Sequence, residues 1–271
     1  MKGPVTKLFI LSAIASVAFV TSANAHDTWL LPDRFEVASK QTVTLDLTSG
    51  MAFPALEVGP KRERVEAALC RLAGHTFDIS DISAGPKSLV LKKELSEPGI
   101  AIFWVKLPPK SIELKPEQVE EYLAEIDAPA DVRKQWTEAK EPKRWRELYT
   151  KHTKTFVRVG DAKADRSWAE PIGTALEIVP EKDPTALHEG DELPVRVLKN
   201  GTPFANFALN AVAAGETKGE TRKTDATGHV AFRLSKAGQW LLRGTDVRKS
   251  TRTDADWESD FATLTLEVKT K

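Results

Sequence analysis

Short stretches in which apolar and polar residues alternate recur along most of the chain. Gln41–Leu47 and His229–Leu234 both have the two-residue period of a strand with one buried face. Ile100–Val105 is an apolar run of strand length and is the strongest strand signal in the N-terminal half. Turn residues such as Asn200-Gly201 separate these stretches and favour hairpin connections. The pattern predicts a mainly β protein.

Residues 116–155 have a different pattern, with apolar residues at helical spacing. Pro116 stands where a first helical position is expected, and Val119, Tyr122 and Leu123 then form one apolar face. The stretches 130–139 and 143–155 are predicted to be two further helical pieces. The segment is therefore predicted to be a helical insertion packed on the β structure, and a lid over a site is the alternative.

The polar stretch 160–173 is predicted to be a linker between two β-sandwich domains. The first domain covers residues 26–170 and carries the helical insertion. The second covers residues 174–271, where about seven short strands with turns every 8–12 residues or so favour a Greek-key, Ig-like sandwich.

Residues 1–25 have the features of a secretory signal peptide. Two lysines precede an apolar stretch from Leu8 to Val20, and residues 23–25 have the A-x-A pattern that signal peptidase cuts. The apolar stretch is short for a membrane span, and no later stretch is apolar for long enough to cross a bilayer. We therefore predict cleavage after Ala25 and a periplasmic protein without a membrane span, with a retained N-terminal anchor as the alternative.

Charge and cysteine content exclude several functional classes. The chain has 39 basic and 39 acidic residues, so a nucleic-acid partner is not expected. The single cysteine, Cys70, excludes an internal disulfide framework and a cysteine-based zinc site. The sequence has no G-x-S-x-G, P-loop or G-x-G-x-x-G motif, and we predict that the protein is not an enzyme.

Cleavage after Ala25 would place His26 at the new N-terminus. The α-amine of an N-terminal residue has a pKa near 7.7–8 and loses its proton readily when a metal competes for the lone pair. Imidazole and amine together suit copper, nickel or zinc. The sequence therefore makes His26 the first candidate metal ligand, and an exposed histidine that merely begins a strand is the alternative.

Further ligands would have to come from residues brought close by folding. Asp27 is a candidate ligand, or an acceptor that orients the imidazole, although an ordinary exposed carboxylate is the simpler interpretation. The other histidines are His75, His152, His188 and His229, and no pair has the spacing of a local zinc site. The acidic stretch 254–260 lacks the EF-hand pattern and is predicted to be a solvated loop around a core tryptophan.

Several segments together resemble one bacterial family. They are His26-Asp27-Thr28-Trp29-Leu30-Leu31-Pro32, Tyr149-Thr150-Lys151-His152, Gly190-Asp191-Glu192-Leu193-Pro194, Gly238-Gln239-Trp240-Leu241-Leu242 and Asp254-Ala255-Asp256-Trp257. In this order they resemble the family known by domain-of-unknown-function number 4198. The C-terminal half is also similar to prealbumin-like modules. The resemblance implies a periplasmic protein associated with nickel or cobalt uptake.

The resemblance favours His152 as the second histidine of a metal site, because its segment is one of those that match. One segment departs from the family pattern. A histidine commonly follows the Trp-Leu-Leu strand in the family, whereas this chain has Arg243-Gly244-Thr245-Asp246. The chain has lost that histidine or replaced it with Asp246.

The predicted function is binding of a transition metal (nickel, cobalt, copper or zinc) by His26, Asp27 and His152, with a membrane uptake system as partner. The main alternative is a β-sandwich scaffold that binds a protein or a glycan without metal. A copper enzyme with an N-terminal histidine is a third hypothesis and would need a second histidine near His26.

Overall fold

The computed structural model describes residues 27–271, so the predicted signal peptide and His26 lie outside the described residues. The strands are β1 Asp27–Pro32, β2 Glu36–Val37, β3 Gln41–Gly50, β4 Ala67–Leu72, β5 His75–Asp78, β6 Asp81–Ala84, β7 Leu89–Leu95, β8 Gly99–Lys106, β9 Lys110–Leu114, β10 Trp145–Val159, β11 Leu176–Pro180, β12 Glu192–Lys199, β13 Thr202–Pro203, β14 Ala208–Ala213, β15 Glu220–Lys223, β16 His229–Arg233, β17 Gly238–Lys249 and β18 Trp257–Val268. The helices α1 Pro116–Glu125 and α2 Ala130–Thr137 lie between β9 and β10. The prediction of a mainly β protein is confirmed.

The strands form three sheets. The first outer sheet has the order β1-β3-β7-β6. The central sheet has ten strands in the order β15-β14-β17-β18-β10-β8-β4-β5, with β2 and β9 also paired to β10. The second outer sheet contains β11, β12, β13 and β16. Strands from both halves of the chain thus share the central sheet, and no boundary near residue 170 divides it.

Strand β10 joins the two halves. It runs parallel to β18, with Glu147 opposite Trp257 and Thr155 opposite Thr265, and antiparallel to β8 and β9. Because side chains alternate between the two faces of a strand, odd-numbered and even-numbered residues of β10 face different layers. Val157 packs in the core of the first outer sheet, and Phe156 packs in the core of the second.

The helical insertion is shorter than the sequence pattern predicts. Helix α1 begins at Pro116 and buries Val119, Tyr122 and Leu123, as expected. The prediction of a helix over residues 143–155 is wrong, because those residues belong almost entirely to β10. From residue 149 onward the sequence Y-T-K-H-T-K-T-F-V is rich in β-branched and aromatic residues, which favour strands, and a central position in the sheet overrides the helical spacing of the preceding apolar residues.

A cluster of aromatic rings attaches the helices to the central sheet. Trp145 of β10 stacks on Trp257 of β18, with ring centroids 4.3 Å apart and planes 14° apart. Tyr122 of α1 and Trp136 of α2 meet Trp145 edge-on at 5.8 and 5.7 Å. The cluster fixes the position of α1 above the sheet. Tyr122 of this helix thereby comes to line one wall of a cavity.

Candidate functional site

Asp27 is the first described residue and begins β1 opposite Gly50 of β3. Its carboxylate forms an ion pair with the guanidinium of Arg243, which also donates a hydrogen bond from Nε to Asn210 Oδ1 at 3.1 Å. The Asp27 side chain is 13% exposed. The negative charge at this position therefore already has a positive partner in the protein.

His152 lies on β10 and is paired with a different carboxylate. Its Nε2 is 2.9 Å from Oδ1 of Asp260, and both side chains are nearly buried. Asp260 also accepts a hydrogen bond from Arg248 at 2.8 Å. Although burial alone would raise the pKa of Asp260, the contacts with His152 and Arg248 lower it overall.

Asp27 and His152 lie on opposite faces of the central sheet. On one face, the hydroxyls of Thr263 and Thr265 donate hydrogen bonds of 2.6 Å to backbone carbonyls of β1, the strand that begins at Asp27. On the other face, Lys154, two residues from His152, meets Glu177 of the second outer sheet. The structure therefore does not bring these two predicted metal ligands together.

The remaining histidines are also apart from Asp27. His75 is exposed at the start of β5, His188 lies in a turn, and Nδ1 of His229 contacts Oε2 of Glu181 at 2.5 Å. Within residues 27–271 there is no group of three or more His, Cys, Asp or Glu side chains placed to hold a metal ion. A metal site at His26 thus remains a prediction, because His26 lies outside this range.

A cavity of about 510 Å³ opens between β1, β9, β10 and α1. Its walls include the apolar side chains of Leu107, Ile112, Leu114 and Phe261. This volume is in the range of pockets that bind small molecules. The sequence did not reveal the cavity, because its lining residues come from seven separated segments of the chain.

A buried carboxylate, Glu147, lies in the wall of this cavity. It accepts hydrogen bonds from the Tyr122 hydroxyl at 3.0 Å, from Trp145 Nε1 at 2.6 Å and from the Ser259 hydroxyl. Burial raises the pKa of Glu147, and the three hydrogen bonds oppose that increase. Burial also raises the pKa of Tyr122. The three donors fix the orientation of this carboxylate.

A lysine, Lys151, lines the same cavity two strand positions beyond Tyr149. Its Nζ is 5.5 Å from the ring centroid of Tyr149 and 5.7 Å from that of Phe261, which are cation–π distances. Burial lowers the pKa of Lys151 to about 8; the negative charge of Asp27 opposes this shift and the positive charge of Lys110 adds to it. The ammonium is thus close to both the cavity and the first described residue.

A smaller depression adjoins the cavity and shares Phe261 with it. Asp27, Arg243 and Glu125 of α1 line this depression. Partial burial, and then the negative charge of Asp27, raise the pKa of Glu125, while Arg243 opposes the shift. The position of Glu125 next to the beginning of β1 was not evident from the sequence.

Comparison with known proteins identifies the family of the chain. Residues 23–245 match the family described as "Domain of unknown function (DUF4198)". The chain belongs to the DUF4198 family. The matched region begins before Ala25 and therefore includes His26 and Asp27. None of the curated proteins compared with the chain matches it.

Several solved structures match most of this chain at low sequence identity. The D0-D1 domain of Intimin is 12% identical, with a TM-score of 0.21, and the match covers 88% of this chain and 97% of that one. The Yersinia pseudotuberculosis adhesin InvE is 14% identical, with a TM-score of 0.22, over 88% of this chain and 58% of that one. The BSP domain of a biofilm-associated protein is 11% identical, with a TM-score of 0.21, over 88% and 30%.

The segment that departs from the expected DUF4198 pattern forms part of β17. Asp246 contacts Lys199 at 2.7 Å and Arg248 at 3.0 Å. In the acidic stretch that follows, Asp254 is paired with Arg252 and Asp256 with Arg146. The prediction of a solvated loop over residues 254–260 is wrong for residues 257–260, because they begin β18 and include the buried Ser259 and Asp260.

Of the helices in residues 27–271, none is long and apolar enough to span a bilayer.

Proposed function

We propose that this DUF4198 protein is exported to the periplasm and binds a transition-metal ion through His26 after cleavage behind Ala25. The observation that carries the proposal is the A-x-A pattern directly before His26. The free α-amine and the imidazole of one residue would then supply two nitrogen ligands, a set that suits nickel, copper, cobalt or zinc. The ion is the cargo, which the protein holds for or passes to a membrane uptake system.

The environment of Asp27 supports a binding site at this end of β1. Residue 26 is bonded to Asp27, and consecutive Cα atoms are about 3.8 Å apart. Glu125 shares a depression with Asp27, and the pKa of Glu125 is raised partly by the negative charge of Asp27. A bound cation would offset that unfavourable interaction. We therefore propose Glu125 as the carboxylate ligand.

Asp27 and His152 have other roles in this proposal. Asp27 is paired with Arg243, so its carboxylate fixes the beginning of β1 and balances the local charge. His152 is paired with Asp260 on the opposite face of the central sheet. Neither residue is needed as a direct ligand.

Calorimetric titration with Ni²⁺ tests the proposal on protein whose first residue is His26. One added glycine before His26 removes the six-membered chelate that the free amine and the imidazole of His26 form with the metal, and we expect the affinity to fall about a hundredfold or more. Glu125→Gln is expected to weaken binding by about tenfold, because a neutral amide replaces a charged ligand. His152→Gln is expected to leave the affinity unchanged.

Glu117→Gln is the matched control, because Glu117 lies in the first turn of the same helix as Glu125 and is exposed. It should bind Ni²⁺ like the unaltered protein. Equal affinity with and without the added glycine would contradict the proposal. A large loss in His152→Gln with none in Glu125→Gln would contradict the assignment of Glu125.

The alternative function is a module that binds a protein partner. One observation favours it: β5 ends the central sheet, and all four of its residues are exposed, including Phe77. A free strand edge can pair with a strand of another chain. This alternative predicts no metal binding at His26.

A further inference from the structure

The cavity between β1, β9, β10 and α1 has an unequal distribution of charge. Four basic side chains line it, and Glu147 is the acidic side chain among its described lining residues; the basic residues are Lys61, Arg64, Lys110 and Lys151. A cleft with one predominant charge and apolar walls concentrates the electric field and attracts ligands of opposite charge. The cavity is therefore suited to an anion.

The carboxylate of Glu147 does not cancel this positive charge at the cavity surface. Its oxygens accept hydrogen bonds from Tyr122, Trp145 and Ser259, so they are directed toward these donors. The side chain is almost completely buried, and its residue is 2% exposed. A ligand in the cavity would meet Tyr122 and the apolar walls before it met this carboxylate.

Two of the basic groups have no acidic partner in the part of the chain that the structure describes. Arg64 donates to the backbone carbonyl of Pro108 at 2.7 Å, which fixes its guanidinium at the cavity wall without neutralising its charge. Lys110 is exposed at the start of β9 and forms no ion pair with a carboxylate of residues 27–271. Lys110 and Lys151 are close enough for the charge of one to lower the pKa of the other.

The rest of the lining is apolar and aromatic. Leu107, Ile112 and Leu114 form one side, and the rings of Tyr149 and Phe261 lie beside the Lys151 ammonium. The hydroxyls of Thr28 and Ser49, 2.6 Å apart, supply a small polar patch. A bare inorganic anion would leave these apolar walls without contact, whereas an apolar body with an anionic head would contact both parts of the lining.

We propose that the cavity binds a small amphipathic organic anion, with its carboxylate or sulfonate head at Lys110, Lys151 and Arg64 and its apolar body against β9 and Phe261. This site is separate from the metal site proposed at His26 and does not depend on it. Its cationic groups are side chains of residues 64, 110 and 151, and none of them is a proposed metal ligand.

Fluorescence titration with 8-anilinonaphthalene-1-sulfonate, in buffer with EDTA, tests this proposal on the folded protein. The matched neutral probe is N-phenyl-1-naphthylamine, which has the same rings without the sulfonate. We expect saturable binding of the sulfonate and at least about tenfold weaker binding of the neutral probe. Lys151→Met removes one positive charge at the cavity and is expected to weaken sulfonate binding by about tenfold. Lys110→Glu replaces a positive charge with a negative one and is expected to weaken binding by at least about tenfold.

Lys218→Glu is the control variant, because Lys218 is exposed and does not line the cavity. It should leave sulfonate binding unchanged. A cooperative thermal unfolding transition of each variant shows that the variant is folded when it is titrated. If Lys151→Met does not fold, Lys110→Glu alone decides the outcome. No saturable binding, equal binding of the two probes, or sulfonate binding that Lys110→Glu leaves unchanged would overturn the proposal. Loss of Ni²⁺ binding to His26 would not bear on it, since the probes are titrated without metal.

Discussion

Replacing Trp145 with alanine is expected to lower the free energy of unfolding by about 3–5 kcal/mol, as measured by urea denaturation. Trp145 is fully buried and contacts the rings of Tyr122, Trp136 and Trp257. Its removal leaves a cavity at the point where both helices meet the central sheet. It also deprives the buried Glu147 carboxylate of one of its three hydrogen-bond donors.

Two controls separate these effects. Trp145→Phe keeps an aromatic ring but loses the N–H donor, and we expect a smaller loss of about 1–2 kcal/mol. Phe77→Ala removes an aromatic ring that is 42% exposed and should cost about 1 kcal/mol or less. If Trp145→Ala were as stable as Phe77→Ala, the aromatic cluster would not be the attachment point of the helices.

The second large effect is expected for Glu177→Ala, which should lower the free energy of unfolding by about 3–5 kcal/mol. The Glu177 carboxylate is 2.8 Å from the Lys154 ammonium, and the two side chains are only 2% and 6% exposed. It also accepts backbone hydrogen bonds from Ile172 and Gly173. Alanine would leave a buried ammonium and two amides without their acceptor.

The double variant Lys154→Met with Glu177→Met provides the control for this prediction. It removes both charges, and replacement of a whole buried pair by apolar residues is often neutral for stability. We expect the double variant to be clearly more stable than Glu177→Ala, also by urea denaturation. If the double variant lost as much free energy of unfolding as Lys154→Met and Glu177→Met lose in sum as single variants, neither side chain would depend on the charge of the other.

The β content and both helices, the second of them predicted over 130–139 and observed as Ala130–Thr137, could be predicted from sequence because they depend on local pattern. Alternation over Gln41–Leu47 corresponds to β3, and Pro116 followed by a buried apolar face corresponds to α1. Strand β10 could not be predicted as a whole, since Trp145, Leu148 and Tyr149 also fit a helical face. Its strand structure results from pairing with β8, β9 and β18, which are distant in sequence.

The arrangement of the two halves also depends on distant pairing. The parallel contact of β10 with β18 joins residues about a hundred positions apart, and no local signal specifies which strands are neighbours. The sequence therefore predicted a mainly β chain, but it did not specify the central sheet to which both halves contribute strands.

The candidate site was only partly predictable for the same reason. Asp27 was a candidate because it follows His26, and His152 because its segment resembles the family, but their partners, Arg243 and Asp260, lie on β17 and β18. The alternation of β10 places His152 on the face opposite β1, and this placement depends on a strand that the sequence pattern assigned to a helix. Glu125 had no feature in the sequence that distinguished it from other helix carboxylates.

The most direct test of the proposed function is the intact mass and metal content of the protein isolated from the periplasm of its own cells. We expect a chain that begins at His26 and carries one nickel, cobalt, copper or zinc ion per molecule. A chain that retains residues before His26, or one that begins at His26 and takes up no metal from a saturating solution, would contradict it.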